Sequence, residues 1–362
     1  MDFKKWGIPK HLWKKPQQAM LGIDIGTTSV KLVELSQNDD TLTLETYAIE
    51  PMPADVVVEK EIKDVDQVGQ AIARAYEKSR ATLKGGAVAL PGAAIITKLI
   101  EVSSQLKEAD IVYQVTQDAD RYIPYPSEEV SLDFEVLGPS AKNSDMLDVL
   151  LVASRTDQVD LRVDALAVAG LQTRVVDVEP YAIERAFQFQ KRDPQDKRVG
   201  LVDFGGTNLS LSVLNDNQMI YTREQAFGSK KLVEEIQLRY GLSYAEAVRW
   251  YKSEKMPDDL DAELLTPYRE AAAQQVQRAL QLFFSSTEHR TLDHLYVTGG
   301  VVGMHHLIEA LQETLQLKVD SVNPFASMAL GKKINPQVLK DEASSLLVAC
   351  GLALRGFHHA DH

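Results

Sequence analysis

The sequence predicts an α/β protein built from two related lobes, and three observations carry that expectation. The stretch LGIDIGTTSVKLVEL at residues 21–35 returns in design as VGLVDFGGTNLSLSVL at residues 199–214. A strand, a glycine pair and a helical pattern follow one another in DHLYVTGGVVGMHHLIEALQETL at residues 293–315. Between the two copies, residues 103–174 carry a helix, two strands and a second helix of their own. With 362 residues, 44% of them hydrophobic, the chain can fill more than one core.

The first copy sets Asp24 at the end of an apolar run and follows it with Gly26, Thr27, Thr28 and Ser29 before a second apolar run. In the second copy Asp203, Gly205 and Thr207 follow Asp24, Gly26 and Thr28 by 179 residues each, with Gly206 and Asn208 completing the turn. Turns this short between strand-like runs read as β-hairpins. Glycine lets backbone N–H groups approach an anion with no Cβ in the way, and the hydroxyls add donors, so each turn is suited to clamp phosphate. A carboxylate beside phosphate repels it unless a divalent cation lies between them, so Asp24 and Asp203 call for Mg²⁺, held directly or through its water shell.

Later in the chain, Gly299 and Gly300 end a strand-like run, and Met304, Leu307, Ile308, Leu311 and Leu315 keep helical spacing after them. The glycine pair would let a flat or phosphorylated group approach at a helix start.

Charge and cysteine content exclude several classes. A formal net charge of −13 opposes binding to a phosphate backbone, so no nucleic-acid partner is expected. The single cysteine, Cys350, rules out an intrachain disulfide, a CxxC redox pair and a zinc finger, which fits a reducing cytoplasm. The longest apolar run, LLVACGLAL at 346–354, is far below the roughly 20 residues of a membrane-spanning helix, and no secretory leader is expected. The opening segment sets Lys4, Lys5, Lys10, Lys14 and Lys15 among Phe3, Trp6 and Trp13. It reads either as a contact for an anionic surface or as a solvated tail. His305 and His306, and His358, His359 and His362 at the end, lack a spaced second ligand pair for metal.

In order, DIGTTSVKL, VEPYAIERAF, DFGGTNLSLSV, VTGGVVGM and LLVACGLALRGF resemble the phosphate-1, connect-1, phosphate-2, adenosine and connect-2 segments of the actin and FtsA superfamily. YIPYPSEEVSLDFEVLG at 122–138, with PDDL, RALQLFFSS and NPFASM further on, resembles the PilM family of type IV pilus assembly. The resemblance runs from about Leu21 to Phe357. It implies a two-lobed actin-like fold, duplicated in the ribonuclease H-like manner, with an inserted 1C subdomain of the FtsA and PilM type. The implied organisation is an N-terminal segment at 1–20, lobe one (1A) at 21–102, subdomain 1C at 103–174, the connect-1 helix of lobe one at 175–198, and lobe two at 199–362 with a 2B insertion at about 217–280.

The resemblance also implies ATP and Mg²⁺ between the lobes. Gly26 to Ser29 and Gly205 to Asn208 would hold phosphate, Asp24 and Asp203 would face the metal, and Gly299 and Gly300 would lie against the adenosine. Glu179 matches the acid that orients the attacking water in MreB-like members, although an acid before Pro180 equally reads as a helix N-cap. Family members are ATP-binding assembly switches more than fast ATPases, so hydrolysis is left open. The ribose pattern AExxK is replaced by AVRWY at 247–251 with Lys252 one place beyond. Lys230 and Lys231 then read either as nucleotide contacts or as solvated helix surface.

Residues 103–174 bear on a partner. The resemblance implies a groove between 1C and lobe one that holds the cytoplasmic N-terminal peptide of PilN, a single-pass inner-membrane protein, and places the chain at the inner membrane as a peripheral component. The PilO–PilN complex, pilus motor ATPases and a second copy of this chain are further expected partners. Leu132, Phe134 and Val136 alternate with Asp133 and Glu135, so one strand face is apolar and the other acidic. Asp133 and Glu135 are the candidate groove residues. Two rivals share the opening motif. A sugar kinase would need a base for the sugar hydroxyl, and no acid stands out for it. FtsA, a membrane-tethered division filament, is expected to end in an amphipathic anchoring helix, which FHHADH does not resemble.

Overall fold

The computed structural model describes residues 18–253 and 255–357. The basic aromatic segment up to residue 17 and His358, His359 and His362 therefore lie outside the described residues.

Lobe one opens with the antiparallel strands β1 (Leu21–Ile25), β2 (Ser29–Asn38) and β3 (Thr41–Pro51), then a short ribbon of β4 (Val57–Val58) and β5 (Glu61–Ile62). Helix α1 (Val65–Ser79) begins where the Asp64 carboxylate accepts the Gln67 N–H at 3.0 Å, and it buries Val68, Ala71, Ile72 and Ala75. Strand β6 (Gly85–Leu90) then runs parallel to β1. After the insertion come β10 (Gln172–Val178), parallel to β6, and helix α4 (Glu179–Phe187), with Pro180 in its first turn.

The insertion is a three-stranded antiparallel sheet, β7 (Ile95–Ser103), β9 (Met146–Arg155) and β8 (Val130–Pro139) in spatial order, covered by helix α2 (Glu108–Tyr122). Its first strand starts at Ile95, ahead of the boundary expected from sequence at 103. Strand alternation holds on β8, with Leu132 and Phe134 buried and Asp133 and Glu135 exposed. Helix α3 (Thr156–Val168) follows β9 but turns Ala165 and Leu166 into the core of lobe one, so the expected boundary at 174 cuts behind a helix that lobe one owns. The strand β9 ends the insertion's own core, which gathers Ile100, Val102, Ile111, Val115 and Val149.

Lobe two repeats the plan. Strands β11 (Arg198–Phe204), β12 (Leu209–Asn215) and β13 (Gln218–Gln225) form the antiparallel part. Helices α5 (Lys230–Tyr240), α6 (Tyr244–Tyr251), the short α7 (Asp258–Leu260) and α8 (Thr266–Ser286) precede β14 (His294–Gly299), α9 (Leu307–Leu315) and β15 (Val319–Ser321). The spatial orders β3-β2-β1-β6-β10 and β13-β12-β11-β14-β15 are the same arrangement, a hairpin and a third antiparallel strand on one side, two parallel strands on the other. Because β13 pairs within this sheet, the bound of about 217 expected for a 2B insertion falls at the start of a strand of the lobe-two sheet.

The final elements tie the lobes together. Strand β16 (Ala329–Leu330) adds to the free edge of β3, and α10 (Pro336–Glu342) and α11 (Leu347–Leu354) follow. Helix α11 is apolar on every side because it is enclosed on every side, between lobe one's sheet, α4 and lobe two's Tyr296. Gly351 is what lets it approach α4: a Cβ there would lie 1.8 Å from the Ala182 carbonyl oxygen. Cys350 is buried in this layer, and burial pushes its thiol well above the ordinary range. Among the described residues, no helix is long and apolar enough to cross a membrane.

Candidate functional site

Both glycine turns are hairpin turns, and they are closed by the same bond. The Gly26 N–H donates to the Ser29 carbonyl at 3.1 Å, and the Gly205 N–H donates to the Asn208 carbonyl at 2.9 Å. The turns point at one another from opposite lobes. A Cβ on Gly206 would lie 2.4 Å from Thr27 Oγ1 and 2.6 Å from Thr28 Cγ2, so backbone of the second turn touches side chains of the first. Helix α5 steadies the second turn, with the Ser229 N–H donating to the Gly205 carbonyl at 3.1 Å and the Lys230 N–H to the Gly206 carbonyl at 2.8 Å.

A cavity of about 320 Å³ runs from these turns along the lobe boundary. Asp24, Thr28, Ser29, Asp203, Gly205, Gly206, Gly299 and Gly300, all expected from sequence, line it. Gly299 adopts φ +108°, and a Cβ there would meet the Phe204 carbonyl oxygen at 2.3 Å, so only glycine fits. The helix expected directly after the glycine pair starts later. Residues 301–306 form turns, His306 takes φ +61°, and α9 begins at Leu307, while Met304 is buried ahead of it. The chain needs that detour to bury Val301 and Met304 in the lobe-two core.

Other expected residues sit beside the cavity or away from it. Thr207 Oγ1 is buried with no hydrogen-bond partner, and the Asn208 amide reaches Glu224 Oε2 at 3.4 Å. Lys230 sends its side chain to Asp55 Oδ1 at 3.0 Å across the lobes, and Lys231 is exposed, so neither lysine side chain lines the cavity. Glu179 is the first residue of α4 and not its N-cap, which is Val178. Its carboxylate holds Lys60 Nζ at 2.6 Å beyond the end of the cavity. Asp133 and Glu135 lie in the insertion and do not line this cavity, and the charge of Glu135 adds to burial in raising the Tyr181 pKa on α4.

Several residues of the site were not singled out from sequence, or only as a departure from the family's ribose pattern. Lys31 Nζ pairs with Asp24 Oδ2 at 3.0 Å, directly across the first hairpin. The hairpin turn alone implies that register, so this pair was available to sequence reasoning. Burial pulls the Lys31 pKa down, but Asp24 and then Asp203 outweigh it, and the ammonium is held charged. Lys60 bridges Glu179 and, at 3.4 Å, Glu224 of lobe two. Its pKa is raised because these two carboxylates overcome the cost of burial. At the far end Tyr244, Val248, Arg249 and Lys252 of the α6 region face Glu342 and Ser345. Lys252 Nζ donates to the Asp341 carbonyl at 3.2 Å, and burial lowers its pKa. Glu342 accepts the Tyr47 hydroxyl at 2.7 Å.

The two aspartates differ. Asp24 is neutralised by its cross-strand lysine, whereas the residue opposite Asp203 is Ser210. Burial pushes Asp203 up to about 6, against the distant pull of Lys60 and Lys31. Burial likewise raises Glu179, and Lys60 only partly offsets it. Among the described residues no cluster of three or more acidic, histidine or cysteine side chains could cage a metal ion. A cation here would keep much of its water shell and take other oxygens from an anionic ligand, which is the habit of Mg²⁺. The buried, unpartnered Thr207 hydroxyl and the underused carboxylate of Asp203 fit such a hydrated ion with phosphate.

Comparison with known proteins agrees with this architecture. Residues 22–357 match the family model described as type IV pilus assembly protein PilM. Among solved structures, the chain is similar to one from a PilM–PilN type IV pilus biogenesis complex, with 26% identity, a TM-score of 0.75, and coverage of 95% of this chain and 100% of that one. It shares its fold with the ethanolamine utilization protein EutJ of Carboxydothermus hydrogenoformans, at 16% identity and a TM-score of 0.53, over 94% of this chain and 90% of that one. The cell division protein FtsA of Enterococcus faecalis is 23% identical over 346 residues, which span 83% of this chain and 77% of the relative. With a family match across nearly its whole length, on duplicated lobes carrying paired hairpin turns, the chain belongs to the PilM family of type IV pilus assembly proteins and has the actin-like ATPase fold.

Proposed function

We propose that this protein binds ATP with Mg²⁺ between its lobes and serves as a nucleotide-dependent adaptor that docks the cytoplasmic N-terminal peptide of PilN. The observation that carries the nucleotide reading is the meeting of the two hairpin turns, Gly206 against Thr27 and Thr28, at the head of a cavity walled by Asp24 and Asp203. Glycine backbone and hydroxyls from both lobes would hold phosphate, Asp203 would take the water shell of Mg²⁺, and Gly299, Gly300 and the α6 region would flank the nucleoside. The ion neutralises phosphate charge beside the aspartates. Thr27 and Gly206 are already in contact, so phosphates entering between them would separate the lobes, and nucleotide state becomes lobe angle.

The partner reading draws on the similar PilM–PilN complex. Burial and, behind it, the charges of Glu184 and of Glu135 of β8 raise the Tyr181 pKa on α4, while Asp177 is paired with Arg185 at 3.0 Å, so Glu135 and Glu184 are the acids that the junction of the insertion with lobe one offers. That suits a basic, extended peptide with alternate apolar anchors. Such docking would keep the protein cytoplasmic and peripheral at the inner membrane, within reach of the PilO–PilN complex, the pilus motor ATPases and further copies of itself. Glu179 is engaged by Lys60 outside the cavity, which favours binding over rapid turnover.

The test is a pull-down of full-length protein on an immobilised PilN N-terminal peptide, with and without ATP and Mg²⁺. Capture that changes with nucleotide is the expected result. No capture in either condition removes the partner reading, and equal capture in both removes the switch.

A further inference from the structure

Lys60 is placed with unusual care. It sits in the two-residue turn between β4 and β5, where Glu59 and Lys60 take φ +51° and +65°. Such a turn ordinarily uses Asn-Gly or Gly, and each side chain forced into this region costs about 1 kcal/mol. The strain is held from behind. Buried Arg162 donates to the Lys60 carbonyl at 3.3 Å while its other nitrogens bind the carbonyls of Ala89 and Gln158. A strained turn braced by a buried arginine points to a function for the side chain it presents.

That side chain stops just outside the cavity and meets a carboxylate from the opposite lobe. Asp203, Ser210 and Glu224 occupy one rung across β11, β12 and β13, so Glu224 lies on the same sheet face as Asp203, about 10 Å away. The matching rung of lobe one is Asp24, Lys31 and Ile49. Where lobe one ends that rung with an apolar side chain, lobe two sets an acid. Glu224 Oε1 lies 3.4 Å from Lys60 Nζ, and its Oε2 lies 3.4 Å from the Asn208 amide nitrogen of the second turn. The cavity is walled by Asp24 and Asp203 but includes neither Lys60 nor Glu224. A chain of phosphates lengthening past the two aspartates would arrive at these same two donors.

We propose that Glu224 stands in for the terminal phosphate of a nucleoside triphosphate. It occupies Lys60 and Asn208 until that phosphate displaces it, and so sets how strongly the site distinguishes triphosphate from diphosphate. The inference rests on the nucleotide reading above. A carboxylate and a terminal phosphate compete for the same charge-assisted bonds, and a diphosphate that stops short of Lys60 leaves the Glu224 contacts in place. Displacement also breaks a bond between the lobes, since Lys60 belongs to lobe one and Glu224 to lobe two.

The experiment is calorimetric titration of the full chain with ATP and with ADP, at constant Mg²⁺, for wild type, Glu224→Gln, Glu224→Ala, Lys60→Met and Lys60→Met with Glu224→Gln. Thermal unfolding of each variant shows that it is folded. Both Glu224 variants are expected to bind ATP about tenfold more tightly, the equivalent of one strong charge-assisted contact released, with ADP affinity changed less than about twofold. In the Lys60→Met background the gain disappears. Equal tightening of both nucleotides, unchanged ATP affinity, weaker ATP binding, or a gain that survives Lys60→Met overturns the inference. If wild type binds neither nucleotide, the nucleotide reading itself fails, an outcome distinct from these.

Discussion

Lys31 Nζ lies 3.0 Å from Asp24 Oδ2 across the first hairpin, while the equivalent rung of the second hairpin pairs Asp203 with Ser210. One duplicated motif thus yields a neutralised acid and an acid with no cation opposite it. The first supports the fold, and the second is left to interact with whatever enters the cleft.

Removing Lys31 should expose that difference. The pair is largely shielded, at 17% and 12% side-chain exposure. Lys31→Met leaves the Asp24 carboxylate without its cation, and we expect a loss of about 2 kcal/mol in urea unfolding. Adding Asp24→Asn should recover most of it. A double variant no more stable than Lys31→Met would show that the lysine acts by packing and not by charge.

Asp203 should behave in the opposite way. Its folded pKa is about 6 against a reference of 3.8, so the folded state holds the proton more tightly than the unfolded chain. The stability this proton contributes is present at low pH and lost as pH rises from about 4 through 6. Asp203→Asn removes the ionisable group, so it should be more stable than wild type at pH 7.5 by ~1–2 kcal/mol, the cleft being partly wet, and the gap should close near pH 4. Urea unfolding at both pH values checks this, and a gap that does not change with pH would contradict it.

The layer between the lobes tolerates little. Gly351→Ala would gain up to about 1 kcal/mol of helix propensity, yet the new Cβ would lie 1.8 Å from the Ala182 carbonyl oxygen. We expect overpacking to win, with a net loss of about 1–3 kcal/mol and a lower melting temperature. A variant that melts higher than wild type would mean that α4 and α11 can separate freely.

For the partner site, Asp133→Ala with Glu135→Ala should weaken capture of the PilN peptide severalfold, a loss of about 1 kcal/mol, with the variant still folded, since both acids are on the exposed face of β8 and the bond that Asp133 Oδ1 accepts from the Phe134 N–H at 2.9 Å is a local one. Undiminished capture would move the groove elsewhere on the insertion.

How far the site was legible depended on how local its parts are. The hairpins, their glycine turns and the Asp24–Lys31 register follow from spacing within fifteen residues or so, and the duplication made the second copy readable from the first. Lys60 was invisible because its partners Glu179 and Glu224 lie 119 and 164 positions away, and only the packed lobes bring them together. The residues of the α6 region that line the cavity were noticed only as a departure from a family pattern, while of the attractive pair Lys230 and Lys231 the first contributes its backbone N–H to the second turn and neither contributes a side chain to the cavity. Helix α3 misled for another reason. Its apolar residues are spread around the helix with no single stripe to show which core it faces, so sequence continuity suggested the insertion, and burial of Ala165 and Leu166 assigned it to lobe one.

Thermal unfolding with ATP and Mg²⁺, on wild type and Asp203→Ala side by side, tests most directly whether the facing hairpins grip a nucleotide. A ligand at one hundred times its dissociation constant adds about 2.7 kcal/mol to the folded state. Wild type should therefore melt several degrees higher with nucleotide, and Asp203→Ala should not shift. No shift in wild type, or the same shift in both proteins, would contradict the account.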